Sequence, residues 1–74
     1  MQNVKDKKYL IDLGKRIRIL RKSRNMTQLD LAIEMNNHAE QIGRLERGNV
    51  NFTICMLKSL CKAFGITEKE FFDF

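Results

Sequence analysis

The stretch TQLDLAIEMN, residues 27–36, and the segment HAEQIGRLERG, residues 38–48, together decide the fold of this chain. In both segments apolar residues recur three or four positions apart, which is the spacing of one face of an α-helix. Asn36 and Asn37 interrupt the pattern between them. The two segments therefore predict two short helices that are joined by a tight turn and pack through their apolar faces.

Five positions of this window meet the steric requirements of a helix-turn-helix unit. Counted from Gln28, the fifth residue is Ala32, which must be small because the two helices cross closest there. The ninth residue, Asn36, lies in the turn and tolerates a positive φ better than most residues do. Three further positions supply inward-facing apolar side chains: Met35, Ile42 and Leu45. An ordinary helical hairpin in an all-α domain is the alternative interpretation.

The composition bounds the possible classes of protein. The chain has 74 residues, 43% of them hydrophobic and 31% charged, with no proline or tryptophan, which favours a single helix-rich domain. No apolar run approaches the roughly 18 residues that span a membrane, and the polar N-terminus lacks the apolar stretch of a secretory signal. We therefore expect a cytoplasmic, nucleoid-associated location. The formal net charge of +5 is typical of a polyanion binder, although many basic proteins bind no polyanion.

The remaining pattern predicts three more helices, and thus a compact all-α domain of five helices. The first is amphipathic and ends near residues 23–25, with these inner residues: Leu10, Leu13, Ile17 and Leu20. Thr27 and Asp30 form a capping box at the start of the second helix. Thr53 caps the fourth helix, whose inner residues are Ile54, Leu57, Leu60, Cys61 and Phe64. Gly65 ends it, and a box from Thr67 to Glu70 opens the fifth.

The domain organisation follows from the same pattern. The apolar periodicity begins near residue 10, so residues 1–8 are predicted to form a basic N-terminal arm that could be flexible. Residues 9–74 form the single helix-turn-helix domain. Cys55 and Cys61 lie six positions apart on one predicted helix and point in different directions, so they cannot bridge each other within it. We expect both to be reduced thiols.

The sequence resembles the phage-repressor/Cro-like family of helix-turn-helix transcriptional regulators, also called the xenobiotic-response-element (XRE) family. The resemblance covers about residues 13–72 and rests on these matching segments: Leu13-Gly14-Lys15-Arg16-Ile17-Arg18, Leu20-Arg21, Met26-Thr27-Gln28, Leu31-Ala32, Ile42, Leu45-Glu46-Arg47-Gly48, Leu57 and Phe64-Gly65-Ile66-Thr67. It implies a sequence-specific regulator that binds double-stranded DNA as a homodimer, with the third helix in the major groove.

Some positions depart from the family pattern and others point to a subfamily. Asn36 stands where glycine is usual, His38 where a capping serine is usual, and Leu29 where a solvent-facing glutamate is common. The segments Asn51-Phe52-Thr53-Ile54 and Phe71-Phe72 are similar to those of controller proteins of restriction–modification systems. The chain could therefore be such a controller protein.

The outward face of the third helix supplies the predicted base-reading residues. These are His38, Ala39, Glu40, Gln41, Gly43 and Arg44. The family's base-reading positions fall on Ala39, Glu40 and Arg44. The fork of Arg44 can bind guanine O6 and N7, and Glu40 can accept from the amino group of cytosine. The alternative is that these residues only form a solvated helix face.

Phosphate contacts are predicted at the start of the second helix, after the third helix and on the first. The candidates are Thr27, Gln28, Arg16, Arg24, Arg47, Asn49 and Asn51, with Lys22 as a further possibility. Cationic and amide side chains of this kind position a protein on a duplex. Spacing alone does not decide which of them face DNA.

Two further sets of residues have predicted structural roles. The family resemblance implies that Arg21 and Glu46 form a salt bridge that holds the first and third helices together. The apolar residues toward the C-terminus predict a dimer interface: Met56, Ile66, Phe71, Phe72 and Phe74. One or two of these aromatic rings would fill the core, and complete internal packing is the alternative.

The sequence argues against several other functions. It contains one histidine and no Ser/His/Asp set, no Gly-rich phosphate loop and no zinc-ligand spacing, so we expect no enzyme, no metal and no cofactor. We also expect no membrane partner and no small-molecule effector. Single-strand binding would need aromatic stacking platforms, which the sequence does not show. The main alternative is an antitoxin-like protein-binding module that also binds DNA.

Overall fold

The predicted caps define the helices. A computed structural model describes the backbone of residues 4–74 and the side chains of residues 7–74. The helices are α1 (Val4–Ser23), α2 (Gln28–Glu34), α3 (Ala39–Glu46), α4 (Ile54–Phe64) and α5 (Glu68–Phe71), with no strand among residues 4–74. The predicted five-helix, all-α architecture is confirmed.

Local sequence signals set the helix ends. Asn25, just after α1, has a φ of 56°, and Gly65 ends α4 in the left-handed conformation with a φ of 69°. The Thr27 hydroxyl accepts from the Asp30 amide at 3.0 Å, and the Asp30 carboxylate accepts from the Thr27 amide at 2.9 Å. Thr67 and Glu70 form the same box at α5, and Thr53 caps α4. All of these caps were predicted.

Helix α1 begins earlier than the apolar pattern indicated. It starts at Val4, so residues 4–8, which were expected to belong to an arm, form its first turns. Lysine is a good helix former, and no proline or glycine interrupts this segment, so the helix extends beyond its apolar stripe. The arm prediction remains open for residues 1–3, which lie outside the described residues.

One core lies between the helices, and one predicted member is absent from it. It contains the following buried apolar residues: Leu13, Ile17, Leu20, Leu31, Ala32, Ile42, Leu45, Leu57, Leu60, Cys61, Phe64 and Phe71. Ile54 was predicted to face inward but is 70% exposed. It is the first residue of α4, one turn before Leu57, and the core does not extend to that end of the helix. Ile54 is therefore an exposed apolar side chain.

Gly14 allows α1 to approach the C-terminal end of α3 closely. A Cβ at Gly14 would overlap the carbonyl oxygen of Glu46 and lie 2.5 Å from that of Leu45. Any larger residue would push the two helices apart, so this contact fixes how α3 sits on the body of the domain. Within residues 4–74, no helix combines the length and the apolar character that crossing a membrane requires.

Candidate nucleic-acid interface

Helices α2 and α3 form the predicted helix-turn-helix unit. Asn36 has a φ of 54°, and the Asn37 amide donates to the Ala32 carbonyl at 2.8 Å, which closes the turn. Ala32, at the predicted crossing point, is fully buried, as is Ile42. The tight turn and the apolar contact between the two helices are both present.

A buried polar network fixes this unit to α1. Arg21 donates to both carboxylate oxygens of Glu46, from Nε to Oε2 at 2.6 Å and from Nη2 to Oε1 at 3.1 Å. Its Nη1 donates to the Met26 carbonyl at 2.7 Å, and the Gln28 side chain donates to Glu46 Oε1 at 3.1 Å. The hydrogen bond to Glu46 raises the pKa of Arg21. One carboxylate thus connects α1, the start of α2 and the end of α3.

The network and the core leave one face of α3 free. His38, Glu40 and Arg44 are exposed, whereas Ala39 and Gln41 are half-buried. Ile42 and Leu45 face the core. Because buried residues hold one side of the helix, the outward side chains are presented from a rigid support. The start of α3 lacks a cap from the His38 side chain; instead, the Asn37 side chain accepts from the His38 amide at 2.7 Å.

Gly43 does not belong to this outward face. It is buried, and a Cβ there would lie 3.2 Å from Arg47 Nη1 and 3.5 Å from Gln28 Oε1. Position 43 faces the start of α2, on the side of α3 where the Gln28 and Arg47 side chains lie. The structure therefore does not support the prediction that Gly43 reads bases, and gives it the role of a spacer between the two helices.

Four of the predicted phosphate ligands lie within the α2–α3 unit or in the loop that follows it. Gln28 uses one amide N–H for Glu46, which leaves the second as a donor. Arg47, Asn49 and Asn51 are exposed at the end of α3 and beyond it. The Thr27 hydroxyl is committed to the capping box, whose hydrogen bonds lower the pKa of Asp30.

Arg16 and Arg24 occupy a different part of the molecule. Arg16 donates to the Phe71 carbonyl at 2.8 Å and to the Glu70 carbonyl at 2.7 Å, while Arg24 donates to the Phe64 carbonyl at 3.1 Å. Both guanidinium groups thus lie at the C-terminal ends of α4 and α5, where the terminal carbonyls of a helix attract cations. The structure therefore does not bring them to the α2–α3 face, contrary to the phosphate prediction. Lys22 is exposed near the end of α1.

Lys7 is a candidate phosphate ligand that the sequence pattern did not predict. Its ammonium donates to the Gly48 carbonyl at 2.8 Å and to Asn49 Oδ1 at 2.6 Å. These partners lie 41 and 42 positions away, so no local pattern could indicate the contact. The first turns of α1 therefore add a positive charge to the loop that follows α3.

The C-terminal aromatic residues divide into core and surface. Phe71 is fully buried and stacks on Phe52 with ring centroids 6.0 Å apart, so its predicted place in a dimer interface is wrong. The capped α5 turns this ring inward. Phe72 and Phe74 are 39% and 59% exposed, and Met56 and Ile66 are half-buried against the core. With Ile54, they leave apolar surface around α4 and α5.

The other chemistry-bearing side chains form no site among the described residues. Cys55 is exposed and Cys61 is buried, both as free thiols, and burial raises the pKa of Cys61. Within the part of the chain that the structure describes, no group of three His, Cys, Asp or Glu residues could bind a metal ion.

Sequence comparison points to one family. Residues 17–71 match the sequence profile of the family described as helix-turn-helix. The control protein C.BamHI of Bacillus amyloliquefaciens is 36% identical over 62 residues, which are 82% of this chain and 76% of that protein. A competence pilus inhibition repressor of Acinetobacter baylyi is 34% identical over 62 residues. That match covers 84% of this chain but only 56% of the repressor.

Structural comparison agrees with the sequence. The crystal structure of the restriction-modification controller protein C.AhdI from Aeromonas hydrophila superposes with a TM-score of 0.81. The two chains are 30% identical, and the alignment covers 85% of this chain and 96% of that one. The likeness therefore extends over nearly the whole of C.AhdI.

Proposed function

The chain belongs to the helix-turn-helix family, which confirms the resemblance inferred from its sequence, and we propose that it regulates transcription by binding a specific double-stranded DNA operator as a homodimer. The observation that carries the proposal is the exposed face of α3, held rigidly by a buried core and by the network around Glu46. The relatives are a control protein and a repressor rather than enzymes.

Helix α3 has suitable dimensions for the major groove. An α-helix with its side chains is about 10–12 Å across, close to the roughly 12 Å width of the major groove in B-form DNA, and the eight residues of α3 make about two turns. In this arrangement Arg44 is the main base-reading residue, through a bidentate contact to guanine. Glu40 accepts from a cytosine amino group, while His38, Ala39 and Gln41 contribute from the first turn.

Phosphate contacts border the groove on both sides of α3. Gln28 offers its remaining amide N–H, and Arg47, Asn49 and Asn51 supply donors at the far end. Such contacts fix orientation without reading sequence. They also make affinity depend on salt, because each neutralised phosphate releases counterions.

The homodimer forms through the apolar surface of the C-terminal part. Ile54, Phe72 and Phe74 are exposed, and Met56 and Ile66 are half-buried beside them. Burying such side chains against a second copy removes apolar area from water. A two-fold dimer would place two copies of α3 about 34 Å apart, one helical turn of DNA.

The names of the relatives suggest the kind of regulator. Two are restriction–modification or control proteins. We infer that this chain is likewise a controller-type regulator. We expect it to bind a pair of half-sites, and the upstream region of its own gene is the first sequence to test.

A footprint and a competition experiment test the proposal together. The protein should protect two half-sites about one turn apart in that region. Binding should persist in an excess of unrelated duplex, and log affinity should fall steeply with log salt concentration. Equal loss of binding to related and unrelated competitor DNA would contradict sequence-specific regulation.

A further inference from the structure

We propose that Lys7, at the start of α1, joins the loop of residues 48–51 to bind one backbone phosphate of the operator. This inference rests on the proposed function and extends it to a part of α1 that no sequence motif marks. The site is a shallow cleft directly after the C-terminal end of α3, lined by Lys7, Leu10, Gly48, Asn49, Val50 and Asn51.

Lys7 is held in position for such a contact. Its Nζ donates to the Gly48 carbonyl at 2.8 Å and to Asn49 Oδ1 at 2.6 Å. An ammonium carries three N–H donors, so one remains free. The two bonds remove much of the side-chain freedom that an exposed lysine would otherwise lose on binding.

No carboxylate among residues 7–74 forms a salt bridge with this ammonium. Arg21 and Glu46 form the one salt bridge found among residues 7–74. No carboxylate of these residues lies within 4.0 Å of Lys7 Nζ. The Lys7 charge is therefore available to an anion.

The loop adds donors of its own. Because the Asn49 side chain accepts from Lys7 through Oδ1, its Nδ2 group faces away as a pair of donors. Among the described residues, neither Val50 nor Asn51 donates its backbone N–H to a backbone carbonyl. An ammonium, a side-chain amide and free backbone N–H groups are the donors that bind a phosphodiester oxygen.

A purely structural role is the competing explanation. Lys7 could serve only to cap the C-terminal end of α3, where carbonyl groups attract a cation. The two roles differ in their dependence on salt, because only a phosphate contact changes the number of counterions released on DNA binding.

The test compares Lys7→Gln with Lys8→Gln, which removes the same charge from the neighbouring exposed lysine. For Lys7→Gln we expect the slope of log affinity against log salt to flatten by about 0.9. Affinity should fall about eightfold at 0.1 M salt and approach that of the wild type near 1 M. Lys8→Gln should keep the wild-type slope, and Lys7→Arg should restore most of it. Thermal melting of each variant checks that the fold is intact.

The outcomes separate this site from the function on which it rests. Identical slopes for Lys7→Gln and Lys8→Gln, with a steep slope for the wild type, would overturn the phosphate site and leave DNA binding in place. A wild-type protein whose duplex affinity ignored salt would overturn both. Weaker binding by Lys7→Gln with an unchanged slope and a lower melting temperature would assign Lys7 to the structural role.

Discussion

The α2–α3 unit and the α4–α5 segment hold their shapes by different chemistry. In the first, a buried carboxylate connects three helices through directional hydrogen bonds. In the second, the four-residue helix α5 is held by the buried ring of Phe71 and by the hydrogen bonds of Arg16 to its last two carbonyls. The first unit holds polar side chains in a fixed orientation, as base reading requires. The second leaves apolar side chains at its surface, as an assembly interface requires.

The largest effect is expected from removing the centre of the network. Glu46→Ala leaves the guanidinium of Arg21 buried without its partner, which costs about 3–5 kcal/mol of the free energy of unfolding. DNA binding should weaken as well, because α3 loses its tie to α1. Urea denaturation measures the first effect and fluorescence anisotropy the second. Glu40→Ala, at an exposed carboxylate, is the control for stability. A Glu46→Ala protein with unchanged stability and affinity would contradict the scaffold role.

Two aromatic substitutions separate core from interface in the other region. Phe71→Ala should lower the free energy of unfolding by about 3–5 kcal/mol, since it empties a fully buried site. Phe74→Ala should change monomer stability little and instead weaken dimerisation. Chemical denaturation and sedimentation equilibrium distinguish the two effects. The assignment of Phe74 to the interface fails if its removal leaves the monomer–dimer equilibrium unchanged.

Gly14→Ala tests whether the position of α3 depends on α1. The added methyl group would collide with backbone carbonyls of α3, and backbone cannot move aside as a flexible side chain can. We expect a loss of about 1–3 kcal/mol in the free energy of unfolding. Gly65→Ala is the complementary variant, in which backbone strain replaces a collision. Its φ of 69° strains an alanine, although no atom lies within 4 Å of the new methyl group. Full stability of Gly14→Ala would mean that the two helices separate at little cost.

The smallest expected effect is the dependence of stability on pH. Each of the two regions contains one capping box, at the start of α2 and at the start of α5. Hydrogen bonds to Thr27 lower the pKa of Asp30, and hydrogen bonds to Thr67 lower the pKa of Glu70. A lowered folded-state pKa adds stability above the unfolded-state pKa, about 4 for these groups, and this stability is lost as the pH falls through the folded-state value. The melting temperature of the wild type should therefore decline more steeply below about pH 4 than the melting temperatures of the Asp30→Asn and Glu70→Gln variants. Parallel curves for the wild type and both variants would exclude this contribution.

Features set by neighbours in sequence were predictable. The capping boxes at Thr27 and Thr67, the left-handed Asn36 and the small Ala32 all follow from residues within one or two helical turns. These signals also determine the helix-turn-helix unit, because its two helices are adjacent in the chain.

Contacts between distant segments were not predictable in the same way. The sequence predicts Arg16 as a phosphate ligand, but its guanidinium donates to the Phe71 carbonyl, 55 positions away in the chain. Lys7 looks like part of an arm until its contact with Asn49 is known. Phe71 and Phe72 are adjacent in the sequence, and only the rotation of a capped helix decides which is buried. The charge or hydrophobicity of a side chain indicates what kind of group it will contact. Only tertiary packing decides which group that is.

Base discrimination by Arg44→Ala is the decisive measurement of whether the exposed face of α3 reads base pairs. Affinities of the wild-type and variant proteins would be measured for the protected half-site and for each of its single-base-pair substitutions. If Arg44 contacts a base, Arg44→Ala should lose preference at one base pair by about 1–3 kcal/mol, or roughly 5- to 150-fold, with a nearly unchanged salt slope. An Arg44→Ala protein that still discriminates among all substitutions as the wild type does would contradict this prediction.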